Sequence, residues 1–445
     1  MKRTVYTNAR IFTLNLEDPY IKNGYLMVLG NKIDGIGNMK DLDFNLDEGN
    51  KVDLKGKIVI PGMICSHSHF YGQFARGILL KSSPANWQQI LSEFWWKLDK
   101  SLNEKQIYYS ALMGIIEGIK SGTTTYIDHH SSPSVYNGSL DILEEAILKT
   151  GVRACLAYEV SDRDGEVASK NGIEENIRFI KKVNKENYLN TNIKGAFGLH
   201  ASYTLSDNTL EKCSSIIKEL NAGAHLHVAE DMADVADSYK KSNMHVVERL
   251  EKFGILGPRT IAAHCVKISK EEWEILRKTD TKVVHNCQSN TNNAVGISPV
   301  YQMIKDGVKV ALGSDGYTYD MFKELSFALI LQKLANRDPR IMNNTEMTNF
   351  TFINNFEIAD MFFNNKLGKL KAGNLADFIA VDYNPPTPLN LNNFFAHLTS
   401  GFSGNVDTVV VNGKLLMEDK VLLNIDEEKI MVECRKEASK LWNKI

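Results

Sequence analysis

Two hydrophobic rhythms alternate along the chain. Over the first sixty residues apolar and polar positions alternate in short runs, TVYTNARIFTLN, YLMVLGNKIDGIG and KIVIPGM, cut by Gly and Asn. That period of two is the mark of half-buried strands, and Gly30-Asn31 predicts a hairpin between two of them. From about residue 70 the pattern changes to helical stretches such as EKQIYYSALMGIIEGIKSG, GIEENIRFIKKVN and KEEWEILRKTD, separated by brief apolar runs that end in polar residues. Those runs predict strands over 123–130, 152–160, 193–201, 223–231, 260–266, 281–287 and 309–316. With the run that leads into His67 they make about eight strand-then-helix units, the count of a TIM-like (β/α)8 barrel. From 368 the strand rhythm returns in GKLKAGNLADFIAVDYNPPTPLN and VDTVVVNGKLLMEDKV, where Asn412-Gly413 predicts another hairpin.

The predicted fold class is therefore α/β. A barrel over 61–367 is inserted into a small composite β-sandwich domain built from residues 1–60 and 368–425, and an amphipathic helix over 426–445 closes the chain. Pro61-Gly62 marks the point of hand-over.

Size and charge narrow the picture. A chain of 445 residues exceeds the size at which single cores usually stop growing, which suits a decorated barrel. The balance of 52 basic against 54 acidic residues gives no electrostatic reason to expect nucleic acid or a membrane surface as partner. A small-molecule substrate fits better. The six cysteines are scattered without a Cys-x-x-Cys spacing, which argues against a disulfide framework. No apolar run approaches the roughly 18–20 residues of a membrane span, and the N-terminus lacks an apolar leader. These features predict a cytoplasmic protein.

The chemistry concentrates in the histidines. Seven of the eleven, His67, His69, His129, His200, His227, His264 and His285, fall at or near the carboxyl ends of predicted strands. In a parallel barrel those ends converge on one face. His67 and His69, two apart on a strand, project to the same side. They predict half of a metal site, with His227 after the fifth strand as third ligand and Asp315, in GSDG after the eighth, as fourth. Asp315 can also accept a proton from an activated water, Glu230 lies close enough to His227 to act as general acid and base, and His264 can orient the attacking oxygen. The loop 74–97, with Arg76, Trp87, Trp95 and Trp96, is expected to cover the pocket.

The segments PGMICSHSH, HLHVAE, AAHCVKISKEE, VVHNCQSN and GSDG, framed by LGKLKAGNLADFIAVD and VVVNGK, resemble the amidohydrolase superfamily in its deaminase and chlorohydrolase branch. Within it, IDHHSSPS, EENIRFI, HNCQSNTNN and DYNPPTPL look like the SsnA group of aminohydrolases. The resemblance implies one divalent metal, zinc first and iron second, and hydrolysis of a non-peptide carbon–nitrogen bond. Deamination of an aminated nitrogen heterocycle leads. Displacement of chloride or cleavage of a cyclic amide are the alternatives on the same site, and a non-catalytic binding protein is the remaining one. It implies the ligand set His67, His69, His227 and Asp315, catalytic roles for Glu230, His264 and Asp315, and substrate contacts from His200, with Arg76 and His129 as further candidates. A homo-oligomer is compatible with it. Members with two metals carry a lysine at the end of strand four; here Leu199-His200 stands there and Lys194 is at the strand's other end, which favours one metal. His129-His130 and His285 stand where the branch often has other residues, so substrates do not transfer directly.

Overall fold

Both ends of the chain enter one sheet. The computed structural model describes residues 2–44, 49–80, 82–188, 191–363 and 367–445. Strands β1 (Arg3–Phe12), β2 (Tyr20–Leu29), β3 (Lys32–Asn38), β4 (Gly49–Asp53) and β5 (Ile58–Pro61) lead the chain. The middle carries β6 (Met63–Ser68), β7 (Thr123–His130), β8 (Arg153–Tyr158), β9 (Ile193–Gly195), β10 (Phe197–Ala201), β11 (Ala224–Val228), β12 (Thr260–His264), β13 (Lys282–His285) and β14 (Val310–Leu312). Strands β15 (Phe378–Val381), β16 (Val406–Val411), β17 (Lys414–Glu418) and β18 (Val421–Leu422) return at the end.

The end strands form a nine-stranded sheet in the order β18-β17-β16-β15-β5-β1-β2-β3, with β4 beside β1. Its inward residues from both chain ends share a core, in which Tyr6 meets Phe378 edge-on at 5.0 Å. Both predicted hairpins are present. At the second, Asn412 (φ +52°) and Gly413 (φ +73°) occupy the left-handed conformations that a two-residue type I′ turn requires.

The middle strands are parallel and fall into two sheets, β6-β7-β8-β9 and β10-β11-β12-β13-β14. Single parallel bridges join them at each side, Val160 to Leu199 and Ser68 to Asp315. The strand expected over 193–201 is thus two: β9 pairs only with β8 and β10 with β11, and Ala196 between them marks the change of partner. β10 is buried throughout, whereas in β9 only Ile193 is, and the sequence run gives no break between them.

Pro61 to Met63 is the hand-over. The Gly62 N–H bonds Asp377 O in the approach to β15, whereas the Met63 N–H bonds Gly122 O before β7. A Cβ on Gly62 would lie 2.2 Å from Thr124 Oγ1, so the chain passes between the two units only without a side chain there. Arg153 at the start of β8 fastens the same junction, its Nε and Nη2 donating to the Asp377 carboxylate at 2.9 and 3.1 Å with both side chains buried. Removing one partner of such a pair strands the other charge, so Arg153→Met is expected to cost about 3–5 kcal/mol. Chemical denaturation checks this; a loss below about 1 kcal/mol would make the pair dispensable to the junction.

The helix Glu104–Lys120, capped by Asn103 and Gln106, packs beside the final helix Glu427–Trp442. Among the described residues no helix is long and apolar enough to cross a membrane.

Candidate metal centre

Every residue named above for metal or acid–base chemistry stands at a carboxyl end of a parallel strand. His67 is the penultimate residue of β6 and His69 follows its end; His227 sits in β11 and His264 ends β12. Glu230 lies two residues beyond β11 and Asp315 three beyond β14. The Ser68–Asp315 bridge, with the Asp315 N–H on His67 O at 3.0 Å, brings the last strand's carboxylate beside the first strand's histidines. The backbone is left-handed at His264 (φ +74°), at Ala229 (φ +45°) beside Glu230, and at Asp315 (φ +58°). Such conformations cost of order 1–3 kcal/mol each and cluster where geometry is dictated by function.

His69 Nδ1 donates to the His129 carbonyl at 2.5 Å, and a carbonyl can only accept, so in the neutral ring Nε2 carries the lone pair. That nitrogen lies 2.9 Å from Asp315 Oδ1 and 3.2 Å from His227 Nε2. His67 Nε2, buried and without a hydrogen-bond partner, lies 3.6 Å from the same Asp315 oxygen. Three imidazole nitrogens and a carboxylate oxygen crowded together repel one another unless a proton or a cation sits among them. Burial opposes a charged imidazole, yet the Asp315 carboxylate lifts His69 to about 9, so its Nε2 takes up a proton unless a cation occupies that lone pair. Burial also opposes the Asp315 charge, but the neighbouring His67 and His69 rings hold its carboxyl well below the usual range. An anionic oxygen with imidazole nitrogens aimed at it, two of them fixed through their far nitrogens, is the donor set of a divalent-cation site, and His67, His69, His227 and Asp315 could supply its ligands. The anchors are His225 Nε2 at 2.8 Å from His67 Nδ1 and the Ser289 hydroxyl on Asp315 Oδ2.

Glu230 and His264 flank this point, their acid and imidazole groups falling within one cluster with Asp315. His264 Nδ1 is held by Asn290 Oδ1 at 2.8 Å. The Glu230 carboxyl is buried with Oε1 unpartnered, and burial, followed by the charges of Asp315, Asp231, Asp234 and Glu159, pushes its pKa well above the ordinary glutamate range. A carboxyl so placed can hold and release a proton.

A cavity opens above these groups, with about 670 Å3 of empty space counting its mouth, and His69, His200, His227, Glu230, His264 and Asp315 line its floor. Trp87, Trp95 and Trp96 line it too, as expected of the loop 74–97, although Lys81 within that loop lies outside the described residues. Arg76 is not brought to it. Its guanidinium pairs with Glu117 at 2.5 Å, half exposed, and faces a different cavity beside the final helix. The position beyond β6 turns that side chain outward, so Arg76, expected as a substrate contact, is not one.

His129 is fully buried beneath the floor, its ring 4.9 Å from that of His227, with neither nitrogen hydrogen-bonded. It lies behind the cavity wall, so a direct substrate contact by His129 is not what the geometry offers; it could approach the metal centre with His69 and His227. His130 turns to Ser132 Oγ at 2.9 Å, and His285 is buried without a partner. Lys194 bonds Tyr188 O, away from the cluster.

Sequence reading missed Glu159 and Arg163, both of which line the cavity. Glu159 immediately follows β8, and the strand-end rule that selected the histidines would have selected it as well. Nothing local marks Arg163, which is held by Asp99 of the short helix Trp96–Ser101.

A sequence model described as the amidohydrolase family matches residues 58–416. The chain is 33% identical over 413 residues to a 5′-deoxyadenosine deaminase of Methanococcus maripaludis, covering 91% of this chain and 93% of that one. It is 30% identical over 441 residues to a 5-methylthioadenosine/S-adenosylhomocysteine deaminase of Thermoanaerobacter pseudethanolicus, covering 98% of each. The fold matches a crystal structure of an adenosine deaminase from Xanthomonas campestris with bound zinc, at a TM-score of 0.87 and 20% identity over 99% of this chain and 98% of that one.

Proposed function

The chain belongs to the amidohydrolase family and is a hydrolase of carbon–nitrogen bonds that uses a divalent metal, and from that premise we propose that it removes the exocyclic amine of a purine-like heterocycle as ammonia. The observation that carries this reading is the convergence of His67, His69, His227 and Asp315 on one point beneath the unpartnered, buried carboxyl of Glu230. The names of its relatives, deaminases of adenosine-type compounds, support the same class of substrate.

A divalent ion held by those four residues supplies Lewis acidity, which lowers the pKa of a water from 15.7 towards about 7. We take zinc as that ion, one per chain. Asp315 accepts the proton the water gives up, and His264, fixed by Asn290, orients the attacking oxygen towards the amine-bearing carbon. Glu230 delivers its proton to the adjacent ring nitrogen and takes up the remaining proton of the attacking oxygen, while the proton held by Asp315 passes to the departing amine. Oxygen replaces nitrogen on the carbon, ammonia leaves, and no oxidant is needed. His200, with Nδ1 on Thr204 Oγ1 at 2.7 Å, contacts the bound ring from the cavity floor.

We read the two parallel sheets and their bridges as one (β/α)8 barrel over 61–367, the nine-stranded sheet as a β-sandwich from 1–60 and 368–425, and 426–445 as an appended helix. The SsnA likeness rests on its sequence segments and is carried here as the narrower assignment, for a protein of the cytoplasm.

The test is a screen of aminated purines, pyrimidines and pterins with ammonia as readout, on protein whose metal content has been measured. About one zinc per chain and ammonia from at least one purine are expected. Chloride release from a chlorinated ring without any deamination would replace this reading, and two metals per chain would overturn the single-ion centre.

A further inference from the structure

Two groups of the cavity wall take no part in the mechanism above. Glu159 is buried; its Oε2 lies 3.6 Å from His129 Nδ1 beneath the floor, and its Oε1 lies 3.4 Å from Nε2 of His200, which lines the same cavity. Arg163 is also buried at the same cavity, stacked on the Trp96 ring at 5.2 Å. Its Nη2 is engaged by the Asp99 carboxylate, with Ser131 Oγ at 3.4 Å, and its Nε lies 3.4 Å from Asp164. Among the described residues no hydrogen bond or ion pair within 4 Å joins Glu159 to Arg163, although each charge acts on the other, so a ring bound between them meets a donor on one side and an acceptor on the other. Glu159 groups with His200 and His227, whereas Glu230 groups with His264 and Asp315. The two carboxyls therefore face different edges of anything bound over the metal ligands.

Resting on the deaminase reading, we propose that Arg163 and Glu159 read a second edge of the substrate ring, and that this edge is lactam-like: a carbonyl oxygen for Arg163 beside a ring N–H for Glu159. A planar guanidinium clamped by Asp99 and Trp96 is preorganised to donate to a carbonyl, and the Glu159 carboxyl, with Oε1 beside His200 at the cavity, can accept from a ring N–H. Because Asp99 already neutralises Arg163, the one Lys or Arg among the described lining residues, the wall offers no free side-chain cation to a phosphate. The substrate class is a neutral aminated oxo-heterocycle.

Guanine and 2-aminopurine carry the same amine on the same ring carbon, with and without the lactam. In the metal-loaded full chain kcat/KM is expected to favour guanine by at least about 10²-fold, since sites built to hydrogen-bond a group discriminate strongly against its absence. Arg163→Met and Glu159→Gln should each shrink that ratio at least tenfold, and Arg163→Met should weaken the binding of xanthine, measured by calorimetry, to a similar degree. A ratio near one in the unaltered chain, or ratios and xanthine affinity unmoved by both substitutions, would overturn the inference. If adenine-type amines release ammonia while guanine does not, this inference falls and the deaminase reading stands. If no aminated heterocycle releases ammonia, the deaminase reading falls and the calorimetry alone decides the role of Arg163.

Discussion

Glu230→Gln is expected to retain the metal and lose about 10²- to 10⁴-fold in kcat/KM, the range typical of a lost acid–base group. The amide matches the carboxyl in shape, so packing against Trp87 and Tyr203 around the cavity is preserved. It cannot hold and release a proton, which is the one property the environment of Glu230 cultivates: burial first, then four neighbouring carboxylates, raise its pKa well above the ordinary range. None of the four proposed metal ligands is altered, so metal content and rate should separate cleanly. Ammonia release together with elemental analysis checks both, and an unchanged rate would remove Glu230 from the chemistry.

Removing the ion should have the larger effect. Protein stripped with a chelator is expected to release no measurable ammonia and to regain activity when zinc is returned. It should also be less stable, since a ligand at a hundred times its Kd stabilises the folded state by about 2.7 kcal/mol. Asp315→Ala should fail to recover on adding zinc. That substitution deletes the anionic member of the donor set and leaves His69 Nε2, His227 Nε2 and His67 Nε2 crowded without a countercharge. Full activity in the stripped protein would exclude a metal role for this cluster. Full activity in Asp315→Ala with metal bound would exclude Asp315 as a ligand and as the proton acceptor.

Much of this site was legible because its signals are local. A strand of period two sends His67 and His69 to the same side, and their rings do lie 4.8 Å apart. Strand ends can be recognised from where an apolar run meets polar residues, and that rule placed His227, His264, Glu230 and Asp315 on one face before any coordinates. The predicted strand over 123–130 has the same limits in the structure, as Thr123–His130. What was not legible depends on partners distant in the chain. Arg76 and Arg163 look equally suited to a pocket in the sequence; Glu117 draws the first outward and Asp99 holds the second inward, over separations of 41 and 64 residues. His129 sits at a strand end like the others, yet its side chain is sealed beneath the floor. The break at Ala196 is equally invisible, since it is defined by which neighbour β9 and β10 bond.

The sequence by itself determined the strand-and-helix order, the hairpins at Gly30-Asn31 and Asn412-Gly413, and the residue types that gather at the carboxyl ends, because periodicity and turn chemistry act within a few residues. Only the tertiary structure decided which of those side chains share electron pairs and which face the cavity. Those choices turn on distances of about 3 Å between strands far apart in the chain, set by the Ser68–Asp315 bridge and by buried pairs such as Arg163 with Asp99.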